Sequence, residues 1–444
     1  MKPLIAVLFA AASAAVFAQS PGAIALRGAR VVTVSGPVLE KGTVLLRKGL
    51  IEAVGENIDL PKDAWVIEAQ GVTVYPGLID ALSTVGLPET PAPAPPARTP
   101  AAPAFGPQGP VEPLEQGPQF RPFTTTWVRA ADLLNPADSR IEAARSAGFT
   151  SAAAFPANGI FAGEGAFLNL SGQKQGRMVV ASPIGQYATL ATHGFGTYPG
   201  SLMGVIAYIR QVSLDAGHYQ LAVQAYASHP AGRQRPNYDR AVEGLLESPR
   251  LLLPADSAVQ IDRMLRFAAE LKRPAVLYGG HAAYEIADQV AKSGVPLLID
   301  LKWPERAKDA DPDQPESMRT LELRDRAPST PAALEKAGAR FAFYSGGTAA
   351  KDIRKALKRA VDAGLSQAAA VRALTLSAAE IYGVADRVGS IEPGKIANLV
   401  AVKGSLFDEK AKIEYVFIDG VKYEPVPEAP PGERGEHTEP GGLE

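Results

Sequence analysis

Ala275-Val-Leu-Tyr278, then the segment Ala283 to Ser293, then Leu297-Leu-Ile299 is the stretch on which the fold turns. Two short apolar runs flank a segment with helical apolar spacing. A strand, a crossover helix and a second strand in that order predict two parallel neighbours in one sheet. Strands of such a sheet are buried on both faces and read as continuous apolar runs, as these do. The same alternation fills the long middle of the chain. At 444 residues there is room for a closed (β/α)8 barrel of roughly 250 residues and a smaller accessory domain.

Working outward, both ends change character. Ala29 to Val34, Gly42 to Arg47, Leu50 to Val54 and Trp65 to Glu68 are short β-type runs separated by turn formers such as Ser35-Gly36-Pro37 and Lys48-Gly49. They predict an antiparallel meander with one buried face. A second β-rich piece, Ile396 to Val402 and Ile413 to Ile418 with the turn Asp419-Gly420, lies far downstream. The two pieces are expected to form one composite β-sandwich. The resulting division is residues 19–72 and 388–423 for the sandwich and 73–387 for the barrel, interrupted at 87–122 by a Pro- and Ala-rich insertion. Pro91-Ala-Pro-Ala-Pro-Pro96 excludes a regular helix or central strand there. The tail, 424–444, has too little apolar content to offset its ordering entropy and is predicted to be disordered.

Composition narrows the function. Hydrophobic residues at 46% and charged residues at 21% are those of a globular chain, and a net charge of -2 supplies no basic field for nucleic acid or anionic lipid. Met1-Lys2-Pro3 followed by the apolar run Leu4 to Ala18 is too short to span a bilayer and predicts a signal peptide, residues 1–18, cleaved before Gln19. A periplasmic or secreted protein without a membrane span is the expectation. With no cysteine, thiol catalysis, Cys-ligated zinc and lipoprotein anchoring are all excluded. The five histidines, His193, His218, His229, His281 and His437, include no close pair at ligand spacing.

Two motifs add a family resemblance. Val72-Thr-Val-Tyr-Pro-Gly-Leu-Ile-Asp80 resembles the lead into the first barrel strand of the amidohydrolase superfamily, and Arg387-Val-Gly-Ser-Ile-Glu-Pro-Gly-Lys-Ile-Ala-Asn-Leu-Val400 resembles the return to its small β domain. The likeness is strongest to the imidazolonepropionase-like and cyclic-amidohydrolase branch. It implies hydrolysis of a C–N bond other than a peptide bond, at the C-terminal ends of the barrel strands. It also implies zinc or another divalent ion that activates water, with a strand-eight Asp handling the proton. The first strand of such enzymes carries two histidines one residue apart, because alternation aims both at one side. Here Leu82 and Thr84 stand in those places. Pro254 and Gly279 stand where two later histidines are expected, with His281 displaced by two, and Gly346 stands for the catalytic Asp. No metal and no other cofactor is therefore expected.

Other groups remain as pocket candidates. Asp256, Asp300 and Lys302 fall near predicted strand ends, where two carboxylates with separated pKa values can run acid–base chemistry, though each also suits a cap or an ion pair. His281 follows a predicted strand, and His193 lies in a loop. Ser345 precedes Gly346-Gly347 like a nucleophile, yet no His or Lys is spaced to activate it. Phe161 to Gly165 lacks the context of a phosphate or dinucleotide loop, and Tyr198 to Arg210 reads as turn and buried helix. Two function classes stay open: a hydrolase with an altered or absent metal site, and a non-catalytic member. The latter would bind a small-molecule ligand, self-associate as a homo-oligomer, or stabilise an intact amidohydrolase partner.

Overall fold

The computed structural model describes residues 22–89, 121–172, 174–192, 198–307, 309–311, 313–408 and 411–425. The predicted signal peptide, most of the Pro-rich insertion, His193, His437 and nearly all of the predicted tail lie outside the described residues.

Five strands come first: β1 (Ala23–Val31), β2 (Leu39–Arg47), β3 (Leu50–Gly55), β4 (Ala64–Glu68) and β5 (Val72–Pro76). The middle of the chain holds β6 (Leu78–Ser83), β7 (Phe149–Ala154), β8 (Phe161–Glu164), β9 (Ala166–Asn169), β10 (Val179–Ala181), β11 (Gln186–Ala188), β12 (Leu251–Ala255), β13 (Ala275–Gly279), β14 (Leu297–Asp300) and β15 (Phe341–Tyr344). The last three are β16 (Leu399–Lys403), β17 (Lys412–Ile418) and β18 (Val421–Tyr423).

Both chain ends build one eight-stranded sheet. The order β18-β17-β16-β5-β1-β2-β3 puts the downstream β16 between β5 and β17, in register from Leu399↔Pro76 to Lys403↔Val72. The sheet forks along β1. Ala23 to Arg27 pair with β4, and Arg30 and Val31 with β5, while Gly28 between them sits at φ +77° beside a register shift against β2. Glycine reaches that conformation without a Cβ penalty, so the strand bends and changes partner there. The expected sandwich is thus a single forked sheet, though composite as expected. Alternation on β16 and β17 divides the residues: Leu399, Ala401, Tyr415 and Phe417 pack with Leu26, Val44 and Val74. Val400, Val402, Val416 and Ile418 join the core of the central strands.

The central strands lie in two sheets, ordered β10-β9-β7-β6 and β15-β14-β13-β12-β11-β8. β6 and β7 run parallel, as do β11 through β15, but β9 opposes β7 and β8 opposes β11. β8 and β9 are consecutive, separated only by Gly165, which donates to Gly185 O at 2.9 Å and accepts from Ile184 N at 3.0 Å. A Cβ on Gly165 would stand 2.2 Å from the Phe155 ring, so the crossing between sheets needs glycine. The wholly parallel alternation expected from sequence fails here, because two antiparallel strands, one in each sheet, replace a strand–helix unit.

Helices cover these sheets by ordinary amphipathic logic. Ala258–Leu271 starts at Ser257, whose hydroxyl accepts from Gln260 N, and buries Ile261, Met264, Leu265 and Ala268 along one face. The helix Leu202–Ser228 extends well beyond the predicted turn-and-helix segment and buries Val205, Tyr208, Ile209, Val212 and Ala216, all in its first half or at its centre. Among the described residues no helix is long and apolar enough to cross a membrane.

Candidate functional site

A cleft of about 440 Å³ opens at the C-terminal ends of the parallel strands, with Asp80, Tyr187, Tyr278, Ser345 and Gly346 in its wall. Its floor is set by Asp80, an acid inside the buried run of β6 and only 6% exposed. Asp80 Oδ1 accepts the Ser345 backbone N–H at 2.9 Å and Oδ2 accepts the Ser345 hydroxyl at 2.7 Å, across 265 residues of sequence. Burial pushes the Asp80 carboxyl up to about 6, against the opposing pull of these bonds and of donors from Ser83 and Leu82. Sequence reasoning found neither His nor Lys for Ser345; the structure supplies a carboxylate instead. The available signal was a lone acid in the apolar run Leu78 to Leu82.

Ser345 directly follows β15 and begins a tight turn. Thr348 N donates to Ser345 O at 2.8 Å across Gly346 and Gly347, at φ +57° and +78°, the pattern of a primed turn that glycine favours. Among the described residues the N–H groups of Gly346 and Gly347 have no acceptor. The Thr348 hydroxyl is buried without a partner.

Aromatic rings wall the cleft. Tyr187 and Tyr278 stand 5.1 Å apart between ring centres, and Phe155 lies 6.0 Å from Tyr187. The Tyr278 hydroxyl donates to Ala188 O at 2.9 Å, and that of Tyr344 to Asp300 Oδ2 at 3.3 Å. Burial first of all raises the pKa of both tyrosines, holding the hydroxyls protonated as donors.

The remaining sequence candidates divide. Asp300 is half-buried, accepts the Lys302 backbone N–H at 2.7 Å, and has its pKa raised chiefly by burial. Asp256 has its pKa raised by the surrounding protein although its side chain opens to solvent, and His281 pulls the other way. Neither acid forms an ion pair with Lys or Arg among the described residues, and the helix after Asp256 is capped by Ser257, so the cap-or-pair alternative does not describe Asp256. His281 is engaged rather than poised: its Nε2 lies 3.0 Å from Asp300 O and its ring packs on Trp303. The Lys302 side chain is exposed. His218 and His229 are exposed on and just after the helix Leu202–Ser228.

The positions at which the resemblance puts the family's ligands carry other chemistry. Leu82 is half-buried among apolar neighbours, Thr84 is exposed with its hydroxyl 3.4 Å from Arg140, and Pro254 lies in β12 opposite Tyr278. A Cβ on Gly279 would stand 2.1 Å from Asp256 Oδ1, and one on Gly346 would stand 1.7 Å from Asp300 Oδ1. Among the described residues no three His, Cys, Asp or Glu side chains are grouped to hold an ion. The residues present do not fit the family's divalent metal.

Residues 263–422 match the model of the Amidohydrolase family. The structure is similar to an amidohydrolase from Thermotoga maritima MSB8, with 26% identity and a TM-score of 0.73 over 90% of this chain and 100% of that one. It shares its fold with a prolidase complexed with N-methylphosphonate-L-proline, at 16% identity and a TM-score of 0.52, covering 91% of this chain and 100% of that one. The fold is shared too with phenylurea hydrolase B, at 15% identity and a TM-score of 0.52, covering 90% and 96% respectively. No curated protein sequence matches the chain. The similarity to the Amidohydrolase family thus lies in the C-terminal part of the chain, residues 263–422.

Proposed function

We propose that this protein is an exported, hydrolase-like amidohydrolase-superfamily member that takes a small organic molecule in the Asp80–Ser345 cleft and works without the family's divalent ion. The observation that carries this reading is the position of two carboxylates. Asp256 and Asp300 fill the space that side chains at Gly279 and Gly346 would need, so the missing ligands have not left an open cage. Assignment to the imidazolonepropionase-like branch rests on the two end motifs alone.

We also infer that the two central sheets close into one barrel. Two features support it: the passage of the chain from β8 in one sheet to β9 in the other through Gly165 alone, and the pair of bonds from Ser345, just after β15, to Asp80 in β6.

The test uses protein recovered from the export fraction. Its N-terminus should begin at Gln19, and metal analysis should find well under one equivalent of zinc, iron or manganese. Stoichiometric, tightly held metal that survives dialysis would refute the metal-free reading.

A further inference from the structure

Ser345 combines three requirements of acyl transfer at one place. Its hydroxyl is already donated to a carboxylate, Asp80 Oδ2, at 2.7 Å, so nucleophile and base are in contact. The next two N–H groups, of Gly346 and Gly347, have no acceptor among the described residues and follow a strand end at positive φ, which resembles the strained turn that presents nucleophilic serines. All four residues face the same cleft, beside Phe155, Tyr187 and Tyr278.

We propose that Ser345 is the nucleophile, and Asp80 the general base, of a metal-independent hydrolysis of a small amide or ester whose acyl group is apolar or aromatic. The inference rests on the metal-free reading of the cleft and adds a mechanism to it. Ser345 Oγ attacks the carbonyl carbon while its proton passes to Asp80 Oδ2. The carbonyl electron pair moves to oxygen, where the Gly346 and Gly347 N–H groups receive it. The C–N or C–O bond then breaks, the leaving nitrogen or oxygen takes the proton from Asp80, and the acyl group remains on Ser345 as an ester. Water attacks that ester, giving its proton to Asp80; the acid then departs as Ser345 Oγ takes that proton back from Asp80, restoring the carboxylate.

Two details fit these roles. Asp80 Oδ1 is fixed by the Ser345 N–H at 2.9 Å, which holds Oδ2 on the hydroxyl. A carboxyl near 6 is ionised at neutral pH yet a better base than a solvated aspartate. Phe155, Tyr187 and Tyr278 supply a surface for a flat apolar acyl group but no charge to hold an anion.

The experiment is labelling of the mature protein by an alkyl fluorophosphonate in the presence of chelator, read by intact mass and peptide mapping. One adduct per chain on the peptide containing Ser345 is expected, absent in Ser345→Ala and formed about 100-fold more slowly in Asp80→Asn. Mapping on the unmodified protein decides the matter even where a variant folds poorly. No adduct, under conditions that fully label a serine hydrolase control, overturns the proposal, as does an adduct on a different residue. Metal content of the same sample separates the two readings. A metal-free, unlabelled protein removes only the nucleophile, whereas a labelled protein with stoichiometric metal removes only the metal-free reading.

Discussion

Placing an acid at position 346, where the resemblance puts a strand-eight aspartate, tests whether Asp300 fills that space. In Gly346→Asp the new Cβ would sit 1.7 Å from Asp300 Oδ1 and 2.3 Å from its Cγ, so the Asp300 carboxylate must swing away. It then gives up the Lys302 N–H at 2.7 Å and the longer Tyr344 contact at 3.3 Å, together about 2 kcal/mol for bonds to a charged acceptor. Holding a non-glycine residue at φ +57° adds about 1 kcal/mol, and residual crowding of two carboxylates about 1 more. The single variant should lose about 4 kcal/mol. Asp300→Ala alone should lose about 2 kcal/mol, because the same bonds go without a clash. The double variant carries only the backbone strain and the lost bonds, about 3 kcal/mol, so it should be about 3 kcal/mol more stable than the sum of the singles implies. Urea unfolding with unchanged slopes reads all three values. Additivity within about 0.5 kcal/mol would mean that Asp300 does not fill this volume, and the argument against a metal centre would lose its main support.

Two further outcomes follow from residues already described. Asp80 has its pKa raised from 3.8 to about 6 by burial, so the folded state binds a proton more readily than the unfolded one. Its contribution is fully present below pH 3.8 and is lost as pH rises through about 6, a loss of about 3 kcal/mol. Relative to Asp80→Asn, unmodified protein should therefore lose about that much between pH 4 and pH 7 in denaturant titrations; a pH-independent difference would contradict it. A chain ending near Ala385 lacks β16, which pairs with β5, and should lose protease resistance in β1 to β5 as well. An intact N-terminal sheet in limited proteolysis would refute that dependence.

The alternation around Ala275 to Ile299 was legible because β13 and β14 are buried on both faces, so their apolar runs report sheet position directly. The composite sheet was legible from the Val72–Asp80 and Arg387–Val400 motifs. What sequence did not carry was the direction of β8 and β9. Their residues are as buried as those of a parallel strand, and only the space around Gly165, closed by the Phe155 ring, reveals the crossing. The Asp80–Ser345 pair was hidden for a different reason. Sequence spacing reports partners within an element, and these two meet only where β6 faces β15.

The position of β16 also governs the order in which the protein can be made. Residues 72–76 emerge early, but their partner strand at 399–403 appears only near the end of synthesis. Until then β5 presents an unsatisfied backbone edge to whatever surrounds it. Contacts so distant in sequence fold slowly, and the waiting edge is open to pairing with another nascent chain. The first sheet begun is thus the last one finished, and a holdase acting on the early strands would matter more for yield than any aid to the later ones.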